Sequence, residues 1–233
     1  MDTFITILLN SFKMWEYTDQ FGKVQQPEIG GALFMWTILL IGIIGIAIII
    51  ERWYYIVIRS SINADKFMER IRQHILSNNI KEAVSVAEQS KEKALPYIVL
   101  KGLKRAEVAK DFRDIQNAVD EATLEVLPKL ANRMGYLTML SSIATLMGLA
   151  GTIYGLILAF SAVGGDMPAA QKAQFLANGI SAAMGTTILG LGVAIPIIVI
   201  QTIIQTKMGG ITDEIDEHAV KLINLLTGYK PVS

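Results

Sequence analysis

Two long segments in the second half of this 233-residue sequence contain no charged residue and no histidine. They run from Met134 to Val163 and from Phe175 to Thr206. Each exceeds the roughly 20 apolar residues that a helix needs to cross a lipid bilayer, so both are predicted to be transmembrane helices. Because an ion path through lipid normally contains an ionisable side chain within the span, we expect a partner protein to supply the charge.

Small side chains recur at helical spacing along both segments. In lipid, small residues let helix backbones approach closely, and this packing is a main source of helix association. Pro196 removes a backbone donor and leaves the Gly192 carbonyl without its usual partner, or it simply kinks the helix. The residues predicted to shape the packing are Gly148, Gly151, Gly155, Gly185, Gly190 and Pro196.

Composition excludes several functional classes. Hydrophobic residues make up 52% of the chain and charged residues 18%, which is typical of a membrane protein. The formal net charge of zero gives no basic excess for binding nucleic acid. His74 and His218 lie in charged stretches and are predicted to be exposed rather than to bind metal. No nucleophile with a base, no phosphate loop and no metal-binding cluster is visible, so we expect neither an enzyme nor a cofactor.

A third apolar run, Leu33 to Ile50, ends in a charged and aromatic belt at Glu51 to Tyr55, as a membrane span does at an interface. Basic residues are concentrated between the first and second spans, so that segment is predicted to be cytoplasmic. The apolar positions of Thr3 to Trp15 fit either an amphipathic helix on the membrane surface or a frayed start to the chain.

The fold class predicted is an all-α integral membrane protein with two transmembrane helices extended into a cytoplasmic helical bundle. One long helix is predicted to enter the second span, bent at Pro128, and a separate short helix to end the chain. The predicted order is an external amphipathic segment (1–32), transmembrane helix 1 (33–58), a cytoplasmic helical domain (59–132), transmembrane helix 2 (133–163), an external hairpin loop (164–174), transmembrane helix 3 (175–207) and a cytoplasmic C-terminal helix (208–233).

Hydroxyl side chains lie on the small-residue faces of the second and third spans. Thr145 and Thr152 are seven residues apart, two helical turns, and therefore share one face. An antiparallel hairpin would bring Thr152 and Thr187 to a similar depth, so both hydroxyls could face one seam together with Thr186 and Ser181. Alternatively, each hydroxyl bonds to a carbonyl one turn earlier in its own helix.

Two strings resemble the signature of the MotA/TolQ/ExbB family of ion-driven membrane motors. They are LMGLAGTIYG at 146–155 and GISAAMGTTILGLGVAIP at 179–196. The resemblance covers roughly residues 132–205, and Glu51-Arg52-Trp53 is a weaker agreement. Three spans with the large domain between the first two are similar to TolQ and ExbB rather than to the four-span flagellar MotA.

The resemblance implies a homopentameric ring in a bacterial inner membrane, with the N-terminus periplasmic and the C-terminus cytoplasmic. The ring would enclose two copies of a single-span partner of the ExbD, TolR or MotB type, which carries a membrane aspartate. Thr152 and Thr187 match the family's lumen-facing threonines and would contact the ion or that aspartate. The chain would convert a proton or sodium gradient into movement of the partner, energising an envelope process such as outer-membrane transport.

One position departs from the resemblance. TolQ and ExbB carry a glutamate in the third span where this sequence has Ala182, so that glutamate's role is not transferred. The pair Thr186 and Thr187 is similar to sodium-driven flagellar stators, and sodium could bind at Thr152, Thr186 and Thr187. The sequence leaves proton and sodium open. It also leaves open a sodium-driven flagellar or gliding stator, a passive membrane scaffold and an autonomous channel.

Overall fold

The computed structural model describes residues 17–18, 24–25, 29–60, 62–109, 111–163 and 168–228. The surface helix predicted at Thr3 to Trp15 lies outside these residues. Two short strands, β1 (Tyr17–Thr18) and β2 (Val24–Gln25), pair antiparallel. The helices are α1 (Ile29–Trp53), which continues as a π-helical segment (Tyr54–Ser60), α2 (Ala64–Leu76), α3 (Ile80–Glu88), α4 (Ala94–Val108), α5 (Phe112–Ala131), α6 (Met134–Val163) and α7 (Ala169–Thr227).

The chain divides into two units. The first contains the chain up to Ile49 together with Gly135–Gln201, and the second contains Ile50–Met134 together with Thr202–Ser233. In the first unit, α1, α6 and α7 pack around apolar side chains. Met35 and Ile38 of α1 are buried with Leu189 of α7, and Ile41 of α1 is buried with Leu140 of α6.

The first unit is apolar outside as well as inside. Within the part of the chain that the structure describes, three helical stretches are long and apolar enough to cross a membrane: Leu33–Ile58, Phe112–Ser161 and Ala169–Thr227. Large side chains such as Ile43 and Ile157 are mostly exposed. A helix that is apolar on all sides is typical of a membrane span. The protein is therefore an all-α integral membrane protein.

The second unit has a separate hydrophobic core. Its core residues come from α2, α3, α4, α5 and the end of α7, with Ile71, Ile98 and Ile115 fully buried. Asn63 begins α2 by accepting a hydrogen bond from the backbone of Lys66 at 3.0 Å, which is a favourable N-cap. An asparagine before an amphipathic segment is a sequence signal for a helix start, and α2 begins at the residue after Asn63.

The long helix predicted to bend at Pro128 is in fact interrupted a few residues later. α5 ends at Ala131, Pro128 lies inside it, and α6 begins at Met134. Arg133 has a φ of 64°, a left-handed conformation that ends helices. Its guanidinium pairs with Glu51, which is distant in sequence. Asn132 directly follows the last residue of α5, and an asparagine at this position was the local sign of the break.

The loop and tail predicted around the third span are wrong in their boundaries. Residues 169–174, predicted as part of the hairpin loop, are helical, and α7 continues without a break to Thr227. The prediction placed an end near Lys207 because the sequence becomes polar there. A change of polarity does not break backbone hydrogen bonds, so one helix continues through both environments.

His218 was predicted to be exposed, but it is buried, with 4% of its surface accessible. It lies on the same face of α7 as the buried Ile215 and Leu222. Its Nε2 is 3.7 Å from the Asp65 carboxylate, and its Nδ1 has no hydrogen-bond partner among the described residues. Residues spaced three and four apart share a helix face, so this spacing could have revealed the burial.

Arg52 is a buried arginine at the end of α1. Its Nη1 donates to the Lys129 carbonyl at 3.3 Å and its Nη2 to Glu51 at 3.3 Å. The guanidinium also lies 5.4 Å from the centre of the Tyr55 ring. The last four carbonyls of a helix lack partners within it, so Arg52 caps the C-terminal end of α5.

The variant Arg52→Leu is expected to destabilise the second unit. It removes the guanidinium that donates to the part-buried Lys129 carbonyl, and a hydrogen bond from a charged group contributes about 1.5–3 kcal/mol. The control is Arg105→Leu, because Arg105 pairs with Asp114 at the surface at 2.9 Å and such pairs contribute at most about 1 kcal/mol. Thermal unfolding in detergent, followed by circular dichroism, measures both. Equal shifts would contradict the capping role.

Candidate functional site

The site lies where α6 and α7 approach most closely. Gly148 lies against Gly190, since a Cβ on Gly190 would be 3.0 Å from the Gly148 Cα. Further along, a Cβ on Gly155 would be 2.9 Å from the Ala183 Cβ. Positions that increase along α6 thus meet positions that decrease along α7, and the two helices are antiparallel. Any larger side chain at these contacts would push the helices apart.

Three threonine hydroxyls converge on one backbone carbonyl at this seam. The Oγ1 atoms of Thr152, Thr187 and Thr186 lie 3.0, 3.2 and 3.2 Å from the Gly148 carbonyl oxygen. The hydroxyls of Thr152 and Thr187 also hydrogen-bond directly to each other across the two helices. We call these three threonines and the Gly148 carbonyl the threonine cluster. The sequence left two alternatives, hydroxyl contact across the two helices and bonding within one helix. Both occur in this cluster.

Thr186 is the most buried member of the cluster. It is fully inaccessible, and its hydroxyl also lies 2.7 Å from the Ala183 carbonyl. A Cβ on Gly151 would be 2.7 Å from this hydroxyl, so only glycine at position 151 leaves room for it. Thr152 and Thr187 are partly exposed. Their hydroxyls are therefore the part of the cluster that another molecule can reach.

The cluster can act as donor or acceptor. A threonine hydroxyl carries one hydrogen and two lone pairs. Thr186 can donate to the Ala183 carbonyl, and of Thr152 and Thr187 one can donate to the other while the second donates to Gly148. Lone pairs then remain for a protonated acid or a cation. By rotating, the same hydroxyls can instead donate to a carboxylate.

The remaining predicted site residues are not among those whose hydroxyls meet at the Gly148 carbonyl. Thr145 is exposed, and its hydroxyl donates to the Ser141 carbonyl at 3.1 Å, as expected for bonding within one helix. Ser181 is exposed and Gly185 is buried. Pro196 lies inside α7 on an exposed face.

Ala182 lies in a different environment from the cluster. It is 4% exposed and packs with Met35 and Ile38 of α1. Its neighbour Ala183 faces α6 instead, where it meets Gly155. A charged side chain at position 182 would therefore be buried among apolar groups, which is costly without a partner. The alanine fits the apolar surroundings that this chain provides.

Two polar features of the first unit were missed from the sequence. The Gly148 carbonyl was missed because a backbone acceptor leaves no mark in the residue type. Gln201 was missed although it lies in a predicted span; its side-chain amide donates to the Thr138 hydroxyl. An amide side chain within an apolar run was the signal that could have identified this second link between α6 and α7.

Among the residues that the structure describes, no group of three histidine, cysteine, aspartate or glutamate side chains could hold a metal ion. The oxygen atoms of the threonine cluster are neutral. Neutral oxygens suit weakly held hard cations such as sodium better than tightly bound transition metals. The site is therefore defined by hydroxyl and carbonyl oxygens.

These features define a class: an integral membrane protein with a hydroxyl cluster between two closely packed apolar segments, 134–163 and 175–206, that contain no charged residue and no histidine. The sequence profile of the MotA/TolQ/ExbB proton channel family matches residues 90–217, which is more than half of the chain and includes the cluster. The chain belongs to this family, and the resemblance seen in the sequence is confirmed.

Three relatives show how far the similarity extends. An ExbB homolog described as a biopolymer transport protein, from Methanothermobacter thermautotrophicus, is 27% identical over 90% of this chain and 71% of its own length. The Tol-Pal system protein TolQ of Haemophilus influenzae is 29% identical over 52% of this chain and 54% of its own length. The biopolymer transport protein ExbB-like 3 of Synechocystis is 28% identical over 72% of this chain and 78% of its own length.

Proposed function

We propose that this chain is the ring-forming subunit of an ion-driven membrane motor, and that its threonine cluster contacts an aspartate of a single-span partner. The observation that carries the proposal is the contact of the Thr152 and Thr187 hydroxyls with each other and with the Gly148 carbonyl. This contact lies between the two apolar segments that contain no charged residue and no histidine. Neutral polar groups within a span can hydrogen-bond to a charged side chain that a partner protein carries into the membrane.

The cluster's chemistry fits a carboxyl group that changes its charge. When the aspartate is ionised, the partly exposed hydroxyls of Thr152 and Thr187 can donate to it, and hydrogen bonds to a charged group are stronger than neutral ones. When the aspartate binds a proton, the same oxygens can accept from the acid. Binding of a proton thus changes the solvation of the aspartate's carboxyl group. That difference would shift the partner helix between positions relative to the ring.

The assembly proposed is five copies of this chain around two partner helices of the ExbD, TolR or MotB type. Support comes from the family membership and from relatives named ExbB and TolQ. The membrane proposed is the inner membrane. A periplasmic N-terminus is proposed because basic residues are concentrated between the first two spans. The energised process proposed is an envelope function such as outer-membrane transport.

The driving ion proposed is a proton or sodium. A proton would be carried by the partner's carboxyl group alone. Sodium would need several oxygen ligands, and Thr152, Thr187 and the Gly148 carbonyl offer three near the accessible edge. Thr186 faces the Ala183 carbonyl, so it would contribute to a sodium site only after rotating.

Native mass spectrometry of the purified complex tests the assembly. The chain is expressed with and without the single-span protein encoded beside it, and copies of each are counted. We expect five copies of this chain with two copies of the partner. Ion flux, measured separately in proteoliposomes, should require both proteins. A monomer, or a ring that conducts alone, would contradict the motor. A ring that never takes up a partner would favour the scaffold.

A further inference from the structure

A cleft of about 180 Å³ opens on the second unit. Three of its lining residues are lysines: Lys91, Lys93 and Lys129. One lining residue, Glu92, is acidic. The lining therefore carries an excess of positive charge, and such a surface attracts an anion.

The cleft also offers hydroxyl donors and an apolar wall. The hydroxyl-bearing residues Tyr55 and Ser60 line it, together with Tyr97, whose hydroxyl donates to Glu125. Val126 and Leu130 supply apolar surface. Ammonium and hydroxyl groups are donors for the oxygens of a phosphate group. The apolar wall would suit carbon atoms attached to that phosphate.

The walls are held in place before any ligand arrives. The Tyr97 hydroxyl lies 2.7 Å from Oε2 of the Glu125 carboxylate, and the Lys129 ammonium group lies 2.7 Å from its Oε1. The Arg52 guanidinium lies against the Tyr55 ring. A preformed site binds more tightly because less side-chain entropy is lost on binding.

The cleft residues adjoin the membrane-spanning segments in sequence. Tyr55 lies within the last turns of the stretch Leu33–Ile58, which is apolar enough to span a bilayer. The neighbouring Trp53 and Tyr54 are exposed aromatic residues, as in the aromatic belts found at bilayer interfaces. Leu130 lies four residues before α6 begins at Met134. A headgroup in the adjacent leaflet would therefore be within reach of the cleft.

We propose that this cleft binds the phosphate of an anionic lipid headgroup, with Lys91 and Lys93 as its main cationic contacts. Lys129 lies in the same wall and pairs with Glu125. Soluble phosphate shares the same chemistry, and the experiment below separates the two sources. The proposal does not depend on the motor function.

Calorimetric titration of the purified full-length chain in an uncharged detergent tests the site. The probes are dihexanoyl phosphatidylglycerol, dihexanoyl phosphatidylcholine and inorganic phosphate at constant ionic strength. The test variant is Lys91→Gln with Lys93→Gln. The control is Lys81→Gln with Lys221→Gln, which removes the same charge from other surfaces of the second unit. Thermal unfolding checks that both variants fold.

We expect phosphatidylglycerol to bind more tightly than phosphatidylcholine, whose choline cation the lysines repel. The test variant should weaken that binding by about tenfold or more, since each lysine near an anionic lipid surface contributes about 1 kcal/mol. The control should bind like the wild type. If inorganic phosphate binds more tightly than phosphatidylglycerol and the same variant loses that binding, the cleft is a phosphate site and its ligand is not a lipid. Equal weakening in both variants, or no binding of any probe, would overturn the proposal.

Discussion

Thr152→Val and Thr187→Val are each expected to reduce ion-driven activity by roughly tenfold or more while the ring still assembles. Valine keeps the shape of threonine and removes the hydroxyl, which touches the other threonine and the Gly148 carbonyl. A hydrogen bond to a charged group contributes about 1.5–3 kcal/mol. Its loss would destabilise the state in which the partner's carboxylate is ionised. Ion flux in proteoliposomes containing both proteins measures the effect under proton and sodium gradients.

The matched control for this prediction is Thr37→Val. Thr37 lies in α1 of the same unit, and its hydroxyl donates to the Leu33 carbonyl at 2.7 Å, within its own helix. Replacing it removes a hydroxyl of the same kind but leaves the α6–α7 seam unchanged, so we expect near wild-type flux. Native mass spectrometry confirms that every variant assembles. If the seam variants and the control conduct alike, the cluster has no part in ion transfer and the scaffold hypothesis is favoured.

Gly190→Ala is expected to separate α6 from α7 and to lower stability by about 1–3 kcal/mol, a usual cost of overpacking. The added Cβ would lie 2.7 Å from the Ala144 carbonyl oxygen and 3.0 Å from the Gly148 Cα. Both neighbours are backbone atoms, which cannot move aside as a flexible side chain can. Since Gly148 supplies the cluster's carbonyl, activity should also fall. Thermal unfolding in detergent measures the stability.

Gly192→Ala provides the control on the same helix. A Cβ at Gly192 would meet nothing within 4 Å among the described residues. Alanine favours the helix over glycine by about 1 kcal/mol, so this variant should be as stable as the wild type or slightly more so. Equal destabilisation by the two alanines would indicate a general sensitivity of α7 rather than a close contact at Gly190.

Much of the fold was predictable because it depends on local composition. The apolar runs of α1, α6 and α7 exceed a bilayer's thickness, and a hydrocarbon environment requires helices there. Asn63 identified the start of α2 because its side chain satisfies a free amide at the helix end. The bend was predicted at Pro128, but the helix ends before Asn132, a residue type that commonly follows a helix end. The ion pair between Arg133 and Glu51 joins residues far apart in the chain, so no local pattern predicts it.

The candidate site was predictable in part. The shared depth of Thr152 and Thr187 follows from an antiparallel hairpin and the rise of a helix. Thr145 shares a helix face with Thr152 but lies two turns away, about 10 Å along the axis, so its hydroxyl does not reach the Gly148 carbonyl. Ser181 lies six residues from Thr187 and therefore on a different face of α7. The burial of Ala182 beside Met35 and Ile38 depends on the packing of α7 against α1, which the sequence pattern does not show.

The sequence by itself determined that this protein is helical and membrane-embedded, with no charged residue and no histidine in the apolar segments 134–163 and 175–206. These properties follow from which residues are present and how they repeat. Only the tertiary structure decided that three hydroxyls meet at the Gly148 carbonyl and that Arg52 caps α5. Such contacts join residues far apart in the chain, and a backbone carbonyl acts as an acceptor only where the fold brings a donor to it.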